Sequence, residues 1–176
     1  MRTITFISSV FLVFCFSLVA AQQKQLIINQ IRKECNAINK DKVMKRVVLN
    51  HEDFLDHMTD GGGKVTGFYR KGEVKKIMCW IGLSFGTEHV EYYFKNNKLI
   101  FVYEQFNTFL FDKKTQNLRY DATETTFEGR YYFDANLLIK KFIKGQKIGE
   151  AENVSNERSL QKKAAEFRRI LMKYKD

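Results

Sequence analysis

Three glutamates have the residue type and the spacing that acid–base chemistry uses. Glu91, Glu104 and Glu128 lie on stretches that we expect to be neighbouring strands of one sheet. Two carboxyl groups that flank a sugar form the machinery of glycoside hydrolysis. Acids on neighbouring strands are also common partners of Lys and Arg across a sheet. We therefore predict no catalytic residue here, and a small hydrolase that uses these strand carboxylates is kept as an alternative.

Potential metal ligands are concentrated in one short stretch. They are His51, Glu52, Asp53, Asp56 and His57. Asp53 and His57 would share one side of a helix, but the two histidines are six residues apart and would not. The two-histidine pattern of helical zinc sites therefore fails. The sequence also contains no nucleotide-binding fingerprint, nucleophile elbow or CxxC pair. We expect a solvated acidic loop, no metal site and no cofactor.

Two cysteines, Cys35 and Cys79, lie outside the N-terminal apolar segment. Cys35 falls on the apolar side of a predicted helix and Cys79 in the middle of a predicted strand, so they would meet if the helix packs on that side of the sheet. An oxidising compartment permits a disulfide between them. Two buried thiols that never meet are the alternative. Neither has the neighbouring histidine or helix N-terminus that activates a thiol, so we predict no catalytic cysteine.

Residues 1–21 have the pattern of a secretory signal peptide. A positive residue opens the segment, residues 4–19 form an apolar core, and Ala20-Ala21 offers small side chains for cleavage. A retained membrane anchor is the alternative. The bulky Phe14 precedes Cys15, where a lipoprotein signal has a small residue, so we expect no lipid anchor. The sequence thus predicts a protein exported to the periplasm or the cell exterior.

The chain after this segment, residues 22–176, has the length of a single domain. Its net charge is +9, against +10 for the whole sequence, because the removed segment contains one Arg and no acid. A basic protein outside the cytoplasm meets anionic lipid headgroups and acidic glycans before nucleic acid, which we do not expect as a partner. The alternative is that the lysines serve only solubility, because they are scattered along the chain.

A repeated phrase gives the clearest indication of architecture. Tyr92-Tyr93-Phe94-x-x-Asn97-x-Leu99-Ile100 returns 39 residues later as Tyr131-Tyr132-Phe133-x-x-Asn136-x-Leu138-Ile139. A diverged third copy, residues 68–74, has Gly72 where the other two have Asn97 and Asn136. Gly and Asn tolerate the positive φ that tight hairpin turns demand. We therefore predict β-hairpins that reverse at these three residues.

Periodicity along the rest of the chain completes an α+β fold. Apolar residues at helical spacing predict an N-terminal helix over 23–39 and a C-terminal amphipathic helix over 156–175, packed on the sheet. A strand is favoured over 42–49, and a loop with one helical turn over 51–63. The sheet, at about 64–143, is an antiparallel meander of about six strands built from repeated hairpins. We expect its strands at 64–70, 73–83, 88–95, 98–111, 126–133 and 137–143.

The central strands of this sheet are apolar on both faces. Strict alternation places Leu99, Phe101 and Tyr103 on one face and Ile100 and Val102 on the other. A sheet with one face in water would alternate apolar with polar residues instead. Helices, a curled sheet or a partner must therefore cover both sides.

Aromatic and basic residues that alternate on these strands form the best candidate for a ligand site. We select Tyr93, Glu104, Arg130 and Tyr132 as candidate ligand-binding residues. Aromatic side chains beside basic residues stack on single-stranded nucleic acid, and the same surface suits sugar rings. Export argues against nucleic acid. Core packing would explain most of these aromatic residues without any ligand.

Several phrases between Glu52 and Lys141 together form a signature. They are Thr59-Asp60-Gly61-Gly62, Gly67-Phe68-Tyr69, Val74-Lys75-Lys76-Ile77, Glu91-Tyr92-Tyr93-Phe94, Leu99-Ile100-Phe101-Val102-Tyr103-Glu104, Arg130-Tyr131-Tyr132-Phe133 and Leu138-Ile139. This part of the chain, about half of it, resembles a group of uncharacterised exported proteins from Gram-negative bacteria. The resemblance implies a shared hairpin-based domain in the periplasm or at the surface, and it brings no activity. A cross-strand ion pair would explain Glu104 and Arg130 as well as ligand binding does.

The sequence as a whole predicts a non-enzymatic binding module of the cell envelope. Its partner would be an envelope protein, an anionic glycan or a lipid headgroup. An inhibitor of a cell-wall-active enzyme is the alternative within the binding class. A homodimer that buries an uncovered face of the sheet is a further alternative.

Overall fold

Seven antiparallel strands form one sheet, and a helix lies on each of its faces. The computed structural model describes residues 4–55, 59–147 and 157–174, and the side chains of those from Gln22 onward. The elements are α1 (Ile4–Lys40), β1 (Lys45–Asn50), a 3-10 turn (His51–Asp53), β2 (Gly63–Arg70), β3 (Glu73–Leu83), β4 (Gly86–Lys95), β5 (Lys98–Asp112), β6 (Asn117–Asp134), β7 (Leu137–Gly145), α2 (Glu157–Leu171) and a second 3-10 turn (Met172–Tyr174).

The strand order β1-β2-β3-β4-β5-β6-β7 makes the sheet a meander, which confirms the predicted α+β class. The largest differences from the prediction concern β1 and β6. The stretch expected as a separate strand, 42–49, joins the sheet as its edge strand β1, so the sheet has seven strands. β6 begins at Asn117 instead of 126, because pairing with β5 extends it through polar residues that carry no apolar alternation. The helix predicted over 23–39 is confirmed, and α1 begins earlier, at Ile4.

The three repeated phrases form three hairpins with the same turn, all at one end of the sheet. Both central residues of each turn have positive φ, as type I′ hairpin turns require. The predicted reversals at Gly72, Asn97 and Asn136 are therefore confirmed. The three pairs are Lys71 (49°) and Gly72 (76°), Asn96 (49°) and Asn97 (62°), and Ala135 (47°) and Asn136 (67°).

Each of these hairpins also contains the same bulge, just after the turn. In the second hairpin Phe94 pairs with Leu99 and Tyr93 pairs with Phe101, so Ile100 is an extra residue. Lys75 and Ile139 are the extra residues of the other two hairpins. An extra residue breaks the alternation of side chains between the faces.

The bulge corrects one prediction from strict alternation. Leu99 and Phe101 were expected on the same face of β5. Leu99 instead belongs to the apolar cluster under α2, and Phe101 packs against the cluster under α1. We call the face under α1 the front face and the face under α2 the back face.

Each helix buries an apolar stripe on its own face. On the back face, Leu160, Ala164, Phe167 and Leu171 of α2 are buried, and the Phe167 ring contacts Tyr92 edge-on at 6.0 Å between ring centroids. On the front face, α1 packs its own apolar residues against Tyr93 and Tyr132. These residues of α1 are Ile28, Ile31, Cys35 and Ile38. The prediction that α2 packs on the sheet is confirmed, and α1 supplies the second cover.

The two cysteines lie in different clusters. Cys35 belongs to the front cluster and Cys79 to the back cluster, and both are free and buried. The expectation that they would meet assumed that the N-terminal helix packs on the face that carries Cys79. It packs on the other face, so the sheet separates the two thiols. In the described part of the chain, no helix is long and apolar enough to cross a membrane.

Candidate ligand-binding cleft

α1 covers only part of the front face and leaves a cleft of about 290 Å³ beside it. The helix contributes one wall and strands β4, β5 and β6 contribute the other. The lining residues are Ile31, Arg32, Cys35, Asn36, Asn39, Tyr93, Phe101, Arg130 and Tyr132. Three of the four predicted ligand-binding residues, Tyr93, Arg130 and Tyr132, therefore line one site.

The fourth predicted residue, Glu104, lies on the opposite face of the sheet. It is 1 % exposed, its Oε1 lies 2.7 Å from Nζ of Lys147, and its Oε2 accepts a hydrogen bond of 3.1 Å from the Tyr131 hydroxyl. Lys147 also bonds Glu88 at 2.6 Å. This network holds the start of the segment after β7 against the back face.

The suggested ion pair between Glu104 and Arg130 is wrong. Glu104 pairs in register with Gly129, so the next residue, Arg130, projects to the front. There its Nη2 donates to Oε1 of Glu128 at 3.2 Å. Each of the two suggested partners thus has another partner on its own face.

The tyrosines of the cleft are packing residues whose polar ends remain in hydrogen bonds. Tyr93 and Tyr132 are 2 % and 3 % exposed beneath α1. Nε of Arg32 donates to the Tyr132 hydroxyl at 3.3 Å, and the guanidinium carbon lies 5.6 Å from the ring centroid. A ligand would reach the edges of these rings and the groups bonded to them, so core packing accounts for most of their surface.

An ionic network lies at the Tyr93 side of the cleft. Nζ of the buried Lys76 contacts Oε1 of Glu91 at 2.9 Å and Oδ1 of Asn39 at 3.0 Å. The Tyr93 hydroxyl lies 2.5 Å from Oε2 of Glu91 and 3.0 Å from Oδ1 of Asn39, and its single proton serves one of them at a time. Nε2 of His89 is 3.3 Å from Glu91. The network ties the C-terminal end of α1 to strands β3 and β4.

These contacts fix the charge state of Glu91. Burial by itself raises the pKa of this carboxyl group, but hydrogen bonds from His89, Lys76 and Tyr93 outweigh burial and lower the pKa to about 2. Burial and the neighbouring Glu91 carboxylate raise the pKa of Tyr93. At neutral pH the pair is therefore an ionised carboxylate and a protonated phenol.

A second network lies at the Arg130 side of the cleft. The Arg130 guanidinium lies over the Tyr103 ring, 5.2 Å from its centroid, and the Tyr103 hydroxyl donates to Glu128 at 2.7 Å. Burial and this hydrogen bond raise the pKa of Tyr103 to about 12. The same hydrogen bond lowers the pKa of Glu128. Arg130 keeps 43 % of its side chain exposed, so a ligand can reach it.

The helix residues of the cleft are the ones that sequence reasoning missed. Arg32, Asn36 and Asn39 are exposed and follow one another at i, i+4 and i+7, directly beside the apolar stripe of α1. That spacing places them on one side of a helix. The pattern was present in the sequence, but without knowing which face α1 covers it indicated only a solvated surface.

The arrangement offers hydrogen-bond donors and cations but no metal site. Among residues 22–55, 59–147 and 157–174, no group of three or more His, Cys, Asp or Glu side chains could hold a metal ion. Asp56 and His57 lie outside the described residues. Comparison of the chain with protein family models, with curated proteins and with solved structures finds no match.

Proposed function

We propose that this protein is an exported, non-enzymatic binding module of the cell envelope, and that the cleft beside α1 is its ligand site. The observation that carries the proposal is the convergence of two guanidinium groups, those of Arg32 and Arg130, with the amides of Asn36 and Asn39 around one cleft. Export rests on the signal-like sequence of residues 1–21.

The lining chemistry favours an anionic group attached to a ring that carries hydroxyls. Arginine binds carboxylate and phosphate through paired, charge-assisted hydrogen bonds. Side-chain amides suit hydroxyl groups because they both donate and accept. The cleft, at about 290 Å³, is at the small end of ligand pockets and would hold one ring. An acidic sugar of a glycan and a phosphorylated lipid headgroup share this chemistry.

The charge states of the nearby acids favour binding over hydrolysis. A glycosidase needs one carboxyl group that still holds a proton near neutral pH. The pKa of Glu91 is about 2 and that of Glu128 is also lowered, so neither is such an acid. Glu104 lies on the other face of the sheet. The hydrolase alternative therefore has no general acid among these three residues.

Direct binding of two probes to the full chain tests the proposal. One probe is an oligosaccharide of uronic acids, and the other is a vesicle that contains an anionic phospholipid. We expect R32Q and R130Q each to weaken binding of the preferred probe about tenfold, because each removes a charge-assisted contact in the cleft.

R169Q is the matched control, because Arg169 is exposed on α2, on the back-face side, and its removal changes the net charge by the same amount. An equal loss in all three variants would reduce the effect to overall charge and contradict a site at the cleft. Failure of both probes to bind the wild-type chain would contradict the proposed ligand class.

A further inference from the structure

The front face of the sheet continues past the cleft. Residues that pair across the strands line up in rows, and Tyr93, Phe101 and Tyr132 form the row on which the apolar stripe of α1 packs. The next two rows, further from the hairpin turns, begin at the cleft with Arg130. We call them the open rows. A ligand that fills the cleft can extend onto them.

The open rows lead from the cleft to the single tryptophan of the chain. In the first row, Arg130 pairs with Tyr103 and Tyr103 pairs with Glu91. In the second row, His89, two residues before Glu91 on β4, pairs with Trp80 on β3. Neighbouring strands lie about 4.8 Å apart, so Trp80 is about 14 Å from Arg130 across the sheet. A ligand that reaches both residues must contain several linked rings.

Trp80 presents an aromatic ring on this surface. It is 39 % exposed, whereas the preceding residue, Cys79, points to the back cluster. A lone exposed aromatic residue is ordinary on a protein surface, but this one is in line with a polar cleft. The C–H groups on the face of a sugar ring pack on an indole, and the hydroxyls at its rim bond to polar neighbours. His89 and the exposed Lys64, which both pair with Trp80, are such neighbours.

The charges along this path alternate in sign. Arg130 is a cation at the cleft, Glu91 is an ionised carboxylate in the middle, and Lys64 is a cation beside Trp80. Glu128, which bonds Arg130, lies in the second row and does not line the cleft. An acid of the ligand is favoured near each cation and disfavoured near the Glu91 carboxylate, which accepts hydrogen bonds from hydroxyls instead. The pattern suits a chain in which acidic and uncharged sugars alternate.

The step between α1 and the open rows favours a flexible chain over a membrane surface. A helix with its side chains is about 10 Å thick, so α1 stands above the part of the sheet beside it. A flat bilayer that reaches Arg32 on α1 cannot also reach Trp80 on the sheet. A glycan chain can follow the step from one to the other.

We infer that the cleft is the first subsite of a longer site, which continues over the open rows to Trp80 and binds a glycan chain of alternating acidic and uncharged sugars. This inference rests on the proposed function of the cleft and names the class of its ligand. One acidic sugar fills the cleft between Arg32 and Arg130. An uncharged sugar lies over Tyr103 and Glu91, and a following sugar stacks on Trp80.

Binding of sugars of different length and charge to the full chain tests the inference. In calorimetry, a tetrasaccharide of alternating glucuronic acid and N-acetylglucosamine should bind at least about tenfold more tightly than glucuronic acid, because it also contacts the open rows. A tetrasaccharide of uronic acids alone should bind less tightly than the alternating one. Because Trp80 is the only tryptophan, its fluorescence should change with the alternating tetrasaccharide and stay constant with glucuronic acid.

Variants of Trp80 locate the second part of the site. W80A should lower the affinity for the alternating tetrasaccharide about tenfold and leave the affinity for glucuronic acid unchanged. W80F keeps an aromatic ring and should retain most of the binding. Y174A is the matched control, because Tyr174 is also an exposed aromatic residue but lies after α2, on the back-face side. It should bind both sugars as the wild type does.

The outcomes distinguish this inference from the proposed function. If R130Q weakens binding of both sugars while W80A binds the alternating tetrasaccharide as tightly as the wild type, the cleft is a sugar site and the longer site is overturned. A uronic-acid tetrasaccharide that binds as tightly as the alternating one would contradict the alternation. A wild type that binds neither sugar would contradict the sugar class for the cleft and the longer site together. Trp80 fluorescence that responds to anionic phospholipid vesicles and to neither sugar would replace the glycan with a membrane surface.

Discussion

The Glu91 carboxylate has three side-chain partners, whereas a simple ion pair has one. Lys76, His89 and Tyr93 all contact its two oxygen atoms, although the side chain is 17 % exposed. Burial of a lone carboxylate would favour its protonated form, whereas hydrogen bonds to the charged form favour ionisation. The balance here favours ionisation, so the network that positions α1 depends on a charged Glu91.

Acid should therefore weaken the fold through Glu91. Its folded-state pKa of about 2 lies below the ordinary value of 4.5, so the stabilisation is complete above pH 4.5 and is lost as the pH falls towards 2. When the pH is lowered from about 6 to about 2, the unfolding free energy of E91Q should fall by about 3 kcal/mol less than that of the wild type. Denaturant titration at several pH values measures this difference.

E166Q is the control, because Glu166 is exposed on α2, on the opposite side of the sheet from Glu91. Its acid sensitivity should match that of the wild type. If E91Q is as acid-sensitive as E166Q, the Glu91 network does not stabilise the fold.

Three copies of one hairpin carry most of this sheet. Each copy has the same turn and the same bulge, so residues at equivalent positions reach equivalent environments: Tyr69, Phe94 and Phe133 are all buried in the back cluster. The copies differ in how well the turn residues suit positive φ. Ala135 occupies a position, at φ 47°, where the second copy has Asn96.

The third turn should thus be open to stabilisation. Left-handed backbone costs an L-residue such as Ala about 1–2 kcal/mol, and Asn tolerates it better. A135N should raise the unfolding free energy by about 0.5–1 kcal/mol, measured by thermal or denaturant unfolding. A165N makes the same substitution on the exposed side of α2 and should lower the unfolding free energy, because Asn is a poorer helix former than Ala. If A135N lowered the unfolding free energy, as A165N should, the turn at Ala135 would not be strained.

The two helices, one on each face of the sheet, determine the architecture of the molecule. The sheet is apolar on both sides, and α1 and α2 each bury one of them. The same division separates Cys35 from Cys79 and leaves each thiol in its own apolar cluster. Burial raises the pKa of both thiols to about 12, so neither is a thiolate at neutral pH.

Thiol labelling checks this division. In the native chain, a thiol reagent at neutral pH should modify Cys35 and Cys79 only slowly, because reaction requires an exposed thiolate. After denaturation without a reductant, peptide mapping by mass spectrometry should find one label on each. A pair that stays unlabelled until a reductant is added would show a disulfide and contradict two separate clusters.

The sequence by itself determined the local part of this fold. Positive φ at Gly72, Asn97 and Asn136 follows from residue type, so the reversals and the strands beside them could be predicted. The helix stripes could also be predicted, because their spacing is a property of one segment. Three candidate site residues that line the cleft, Tyr93, Arg130 and Tyr132, could be found because the alternation of aromatic and basic residues along a strand is a local pattern.

The tertiary structure decided which residues face each other. A one-residue bulge at Ile100 moved Phe101 to the front face, and the pairing of β5 with β6 placed Glu104 beside Lys147 instead of Arg130. Tertiary packing also placed α1 on the front face, so that Arg32 lines the cleft. These outcomes depend on register and packing between segments distant in sequence. A shift of one residue exchanges the two faces of a strand, and no local pattern records it.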